Sequence, residues 1–256
     1  MTDRIHCRLA ALATLITGMF VLPAISSADV YELRTYTTND GKLDDLNARF
    51  RDHTVALFKK HGMTSVGYWV PVDEPKSTNT LIYVLKHSSR EAAARSWQDF
   101  LADPEWKQVA KESQKDGPIL AKAPESTYMD ATDYSPTPES DRQGKKAVFE
   151  LRIYRTNPGQ LQNLDARFRD HTIRIFRRHG IESVAYWHPA DEPASSDTLI
   201  YIVRHNSRDA ARASWKAFSA DDEWKRVARE SQKDGKFLRE RPESVYMRAT
   251  DYSALQ

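Results

Sequence analysis

The sequence predicts an α+β protein in which two copies of one β-α-β-β-α-β unit pair face to face within a single chain. Three observations lead there. A block of about a hundred residues occurs twice. Apolar patterns of period two and period 3.6 alternate inside each block. That element order also leaves one face of each sheet bare, and a second copy is the natural cover for it.

The duplication is plain. Val-Tyr-Glu-Leu-Arg-Thr-Tyr at 30–36 recurs 118 positions later as Val-Phe-Glu-Leu-Arg-Ile-Tyr at 148–154. Arg-Phe-Arg-Asp-His-Thr at 49–54 recurs unchanged at 167–172, and Thr-Leu-Ile-Tyr at 80–83 recurs at 198–201. No gap is needed from Val30 to Ser135, and identity runs at roughly 60%. Residues 29–135 and 147–256 are therefore read as two domains. The polar stretch 136–146, rich in turn formers, is the linker between them.

Within the first copy, residues 30–36 alternate as a strand. Leu43, Leu46, Phe50, Thr54, Leu57 and Phe58 then recur at helical spacing, ending at Gly62, where a left-handed C-cap belongs. His61 suits the negative end of that helix. Residues 65–70 and 80–86 read as the second and third strands. Ser89 is placed to cap a helix carrying Ala93, Trp97 and Phe100. Asp103 and Pro104 restart it as cap and first helical position, and a fourth strand follows from Ser126. This is the order of the ferredoxin-like split unit. Two helices cover one sheet face, and the partner copy is expected to cover the other, giving a pseudo-symmetric sandwich or barrel.

Composition narrows the function classes. The chain has 256 residues with 38 Lys+Arg against 36 Asp+Glu, a formal charge of +2, which leaves no strongly basic face for nucleic acid. Charged residues at 29% exclude a polytopic membrane protein, and the single cysteine excludes an internal disulfide framework or a cysteine-built metal centre. Residues 1–28 differ from the rest: Arg4 and Arg8 precede an apolar run from Leu9 to Leu22 and then Ser26-Ser27-Ala28. They read as a cleavable signal peptide cut after Ala28, since the run falls short of the roughly 20 residues a membrane helix needs. The expectation is a periplasmic or secreted protein with no stable membrane anchor after cleavage.

Tyr-Glu-Leu-Arg-x-Tyr at 31–36, the Phe-Arg-Asp-His helix, and Trp97-x-x-Phe-x-x-Asp-Pro-Glu-Trp-Lys107 together resemble the NIPSNAP domain, present twice. The resemblance implies the dimeric α+β barrel superfamily, whose paired ferredoxin-like units enclose a pocket. Relatives there include cofactor-independent monooxygenases and haem-binding or haem-degrading proteins, so it implies those activities as alternatives to simple ligand binding. A structural or interaction module with no pocket is the third alternative.

The first strand carries the candidate chemistry. Its alternation sets Tyr31, Leu33 and Thr35 on one face and Glu32, Arg34 and Tyr36 on the other, with Phe149, Leu151, Ile153 and Glu150, Arg152, Tyr154 in the second copy. The apolar set is expected to face the helices and the polar set the partner copy. Two readings stay open for the polar set. One is a structural Glu–Arg pair, because an enclosed charge must be paired. The other is a ligand site in which Arg34 and Arg152 bind an anionic group and Tyr36 and Tyr154 donate hydrogen bonds. His53 and His171 lie near the apolar stripe of the first helix, where a core role competes with that of a general base or haem ligand. Tyr68 and Tyr186 are candidate walls of an aromatic pocket. Asp130 and Arg248, equivalent positions of opposite charge, are expected to face each other or each other's surroundings. No metal and no cofactor is expected apart from that haem alternative; the expected partners are a small molecule and possibly a second copy of the chain.

Overall fold

The structure, a computed structural model, describes residues 29–138 and 147–255; residues 1–28, on which the signal-peptide reading falls, and residues 139–146 lie outside them. Strand β1 (Val30–Thr37) leads to helix α1 (Leu43–Arg49), a π-helical turn (Phe50–Thr54) and helix α2 (Val55–Lys60). Strands β2 (Thr64–Pro71) and β3 (Thr80–His87), helices α3 (Arg90–Ala102) and α4 (Pro104–Glu112), and strand β4 (Glu125–Ala131) complete the first unit. The second repeats it as β5 (Val148–Arg155), α5 (Leu161–Arg167), a π turn (Phe168–Thr172), α6 (Ile173–Arg178), β6 (Glu182–Pro189), β7 (Thr198–His205), α7 (Arg208–Ala220), α8 (Asp222–Ser231) and β8 (Glu243–Ala249). The expected caps are formed. The Ser89 side chain accepts from the Ala92 amide and Asp103 from Glu105 at the N1-proline start of α4, while Gly62 adopts φ +78°.

The eight strands close into one barrel in the order β1-β3-β2-β8-β5-β7-β6-β4. Its two seams, β2–β8 and β4–β6, are antiparallel and join the repeats. Closure leaves no free sheet edge. The barrel interior is a single apolar core in which Tyr31 meets Trp187 and Trp69 meets Phe149, both at 5.6 Å between ring centres.

This packing reverses the expected faces of the first strand. Tyr31 and Leu33, with Phe149 and Leu151, point into the barrel toward the other repeat, whereas Tyr36 belongs to the core beneath the helices of its own unit. The physical reason is that both faces of the strand are buried. Alternation then fixes which residues share a face but not which neighbour each face meets. A barrel interior with no helix to lend donors must be filled with apolar side chains, so the charged face turns outward beneath the helices.

The expected Asp130–Arg248 contact is absent for a related reason: the two residues sit on opposite seams. Asp130 stands across from His188 on β4–β6, and Arg248 across from Val70 on β2–β8. The seams also differ beside these positions. Tyr134 donates to Asp165 at 2.6 Å with His188 Nε2 3.1 Å from the same oxygen, whereas the equivalent Tyr252 donates to Asn47 at 2.7 Å.

If the barrel interior carries the stability of the fold, Trp69→Ala or Trp187→Ala should each cost about 3–5 kcal/mol in urea unfolding. A cost below about 1 kcal/mol would show that the interior is not packed as described.

Candidate functional site

Each unit is organised beneath its helices by one carboxylate with no exposure to water. Glu32 is 0% exposed, and Arg34 Nη1 and Ser126 Oγ each donate to its Oε1 at 2.6 Å. Trp97 Nε1 donates to Oε2 at 2.7 Å and His87 Nε2 lies 3.0 Å from the same oxygen. An ionised carboxylate only accepts, so the imidazole carries its proton on that nitrogen. In the second unit Glu150 takes the same donors from Arg152, Ser244, Trp215 and His205 at 2.5, 2.6, 2.6 and 3.4 Å. Burial alone would raise the pKa of Glu32. The His87 hydrogen bond, the Arg34 charge and the Ser126 hydroxyl reverse this and hold it at about 2, as the equivalent groups do for Glu150.

This network positions a cation and an indole. The Arg34 guanidinium lies 4.3 Å from the Trp97 ring, and that of Arg152 lies 4.5 Å from Trp215. Beside them, between β1, the first helix and α3–α4, is a cavity of about 450 Å³ bounded by Arg34, Tyr36, Arg49, Phe58, Trp97 and Trp106. The second unit has a cavity of about 630 Å³ in the same place, bounded by Tyr154, Arg167, Phe176, Phe218 and Trp224. Both volumes fall in the range of small-molecule sites.

Arg49 and Arg167 are the groups that sequence reasoning missed. Each is only 6% exposed. Among the described residues neither has a carboxylate within ion-pair distance. Arg49 makes one long contact to Ser113 Oγ at 3.4 Å, the Nε atoms of both arginines are buried without a hydrogen-bond partner, and the guanidinium groups rest against Trp106 and Trp224 at 5.3 and 5.2 Å. Burial pushes both guanidinium groups below their ordinary pKa. Leu43, Leu46 and Arg49 form the buried side of α1, so the charge sits on the apolar stripe of the helix. That anomaly, present in both copies, was the readable signal.

The π turn completes the placement. The Val55 amide bonds to the Phe50 carbonyl, and Thr54 Oγ1 donates to the carbonyl of Arg49 at 3.1 Å. Thr172 does the same for Arg167 at 3.1 Å. The wider turn keeps Phe50 and Thr54 inward and carries His53 to the surface, with His171 likewise exposed. Each lines an open cleft against the last helix of its unit, of about 310 Å³ for His53 and about 410 Å³ for His171, which it shares with Arg49 or Arg167. The expectation of a core histidine is therefore corrected.

Of the other expected site residues, Arg34, Tyr36 and Tyr154 line the cavities. Arg152 sits behind its cavity, donating to Glu150 and, at 3.3 Å, to the Tyr154 hydroxyl. Tyr68 and Tyr186 are fully buried in the helix-side cores, their hydroxyls bonded to Ser65 and Ser183 at 2.7 and 2.6 Å, and they wall neither cavity. The expected site between the two sheet faces is also corrected, because that space is the filled barrel core and the cavities lie between sheet and helices. A histidine-ligated haem does not fit them, since the residues lining both cavities include no imidazole and no thiolate. Among the described residues no group of three or more His, Cys, Asp or Glu side chains is placed to hold a metal ion.

The low pKa of Glu32 and Glu150 gives a signed expectation. Each carboxylate is held below its ordinary value of 4.5, so its contribution is present above pH 4.5 and is lost as pH falls toward about 2. Unfolding free energy should drop across that window by on the order of 3 kcal/mol per carboxylate. Glu32→Gln with Glu150→Gln should lower stability at pH 7 and flatten the acid slope in chemical denaturation. An unchanged slope in the double variant would refute the network's role.

The NIPSNAP family model matches residues 31–136 and 149–254. Among solved structures, a protein described as a "putative monooxygenase" from Fusobacterium nucleatum aligns with a TM-score of 0.57 at 10% identity, over 87% of this chain and 93% of that one. An anthrone oxidase-like protein aligns at 0.52 and 14% identity, over 89% and 94%. A NIPSNAP family protein of unknown function from Agrobacterium tumefaciens is 24% identical over 43% of this chain and 93% of its own, with a TM-score of 0.37. Among curated proteins none matches the sequence at a significant level. The first two likenesses are of fold alone, and the two family matches cover most of the chain. The chain belongs to the NIPSNAP family and carries the family's unit twice, as the two halves of one barrel.

Proposed function

We propose that each unit binds a small anionic molecule with an aromatic or otherwise apolar body in the cavity between its sheet and its helices. The anionic group sits on Arg49 in the first unit, with Arg34 beside it, and on Arg167 in the second. The observation that supports this is a buried guanidinium with no carboxylate partner at the wall of an aromatic cavity, present in both repeats. Taking a cation out of water costs several kcal/mol even after relaxation. A carboxylate or sulfonate on the ligand would offset that cost through charge-assisted, bidentate hydrogen bonds. Tyr36 and Tyr154 would add hydroxyl contacts, and the indoles of Trp97, Trp106 and Trp224 would flank the flat part of the ligand.

The fold likeness to oxygenases does not carry their chemistry to this chain, because fold and reaction are separable. The reading of a pocketless interaction module needs no cavity, whereas each unit has one. Export belongs to the same proposal: a leader cut after Ala28 would leave Asp29 as the first residue, which N-terminal sequencing of the mature protein checks directly.

The arginines make the binding reading testable in both directions. With 2-naphthoate as the probe in isothermal titration, the double variant Arg49→Met, Arg167→Met should lose binding by a hundredfold or more, about 3 kcal/mol. The same variant should unfold at a higher temperature than the wild type when free of ligand, by about 1 kcal/mol per site, because two unpaired buried charges are gone. Wild-type affinity in the double variant would overturn the proposal. Native mass spectrometry of protein purified from its source would then identify the natural ligand by its mass.

A further inference from the structure

The two cavities are not copies of one another, and the differences fall at opposite ends. In the first unit both Arg34 and Arg49 line the cavity. In the second unit Arg152 does not line the cavity. Like Arg34 it is tied to the buried carboxylate of its unit, but it also donates to the Tyr154 hydroxyl, which accepts from Tyr201 as well at 3.0 Å, so the group that lines the second cavity there is a tyrosine hydroxyl. The mouths differ in the reverse sense. The first is edged by Leu101, the one large apolar side chain that is exposed among the described residues, at 57%. Its counterpart is Ser219, and the second cavity is bordered by Arg229 and Lys236 where the first copy has Lys111 and Pro118. Arg229 keeps the charge of Lys111, so Lys236 is the added cation; both side chains are exposed, and neither has a carboxylate within ion-pair distance among the described residues. The second cavity is also the larger, at about 630 against about 450 Å³.

Resting on the anion-binding reading above, we infer that the two units bind different ligands. The first takes a monoanion whose charge is seated deep and whose apolar end lies at the mouth. The second takes a longer ligand with two anionic groups, one on Arg167 and one at the mouth between Arg229 and Lys236. The cations at the second mouth are solvated, so their attraction is modest, additive over two groups and sensitive to salt.

The test uses the full chain with one site silenced at a time, and two probes of matched body, 2-naphthoate and naphthalene-2,6-dicarboxylate. In Arg49→Met, which leaves the second site, the dicarboxylate should bind about tenfold more tightly than the monocarboxylate at low salt. Adding Arg229→Ala and Lys236→Ala, both on the surface, should abolish that preference by weakening the dicarboxylate far more than 2-naphthoate. In Arg167→Met, which leaves the first site, 2-naphthoate should bind at least as tightly as the dicarboxylate. If both single-site proteins rank the probes alike, or the mouth variants change nothing, the inference fails while the anion-binding reading stands. If neither Arg49→Met nor Arg167→Met weakens either probe, that reading fails, and this one with it.

Discussion

A carboxylate sealed from water must be surrounded by donors, and Glu32 draws them from four separate elements. Arg34 comes from its own strand, His87 from β3, Ser126 from β4 and Trp97 from α3. Removing any one would leave a buried charge short of a partner, which is far costlier than the gain from forming the bond. The network therefore fixes α3 against the sheet at a set height. That height leaves room for the cavity and holds Arg34 and Trp97 at its wall. Its repetition around Glu150 shows that the arrangement belongs to the unit and not to one local accident.

The same constraint explains which parts of the molecule could be read from the chain. Strand alternation in 30–36, the caps at Ser89 and Asp103 and the duplication were sufficient for the element order and for pairing of the halves. The direction of the first strand was not readable, because Tyr31 and Glu32 are both buried and nothing in a period of two says which lies under helices. The Glu–Arg pair was legible as a pair. Its location was not, because the donors that stabilise it are scattered over 94 residues of sequence, from Glu32 to Ser126.

The site itself was half legible. Arg34 and Tyr36 stood out by sitting on a polar strand face. Arg49 stood on an apolar helical stripe, where a charge is out of place, yet an arginine there is easily taken for one that extends its stem along the core and its head into water. Here the head is enclosed as well. His53 was misplaced because a helical wheel assumes 3.6 residues per turn and the chain makes one π turn at that point. Propensity does not announce such a turn. The Thr54 hydroxyl that donates to the Arg49 carbonyl is visible only once the coordinates are known.

The joining of both halves in one chain has a consequence for how such a protein changes over generations. In a barrel assembled from two identical subunits, every replaced amino acid arrives in duplicate, so a useful alteration at one seam must be tolerated at the other. Here the codon for each half is separate. One junction carries the Tyr134–Asp165–His188 cluster while its twin has Tyr252, Asn47 and Val70. Covalent tandem fusion thus releases a symmetric architecture from its own symmetry, one position at a time.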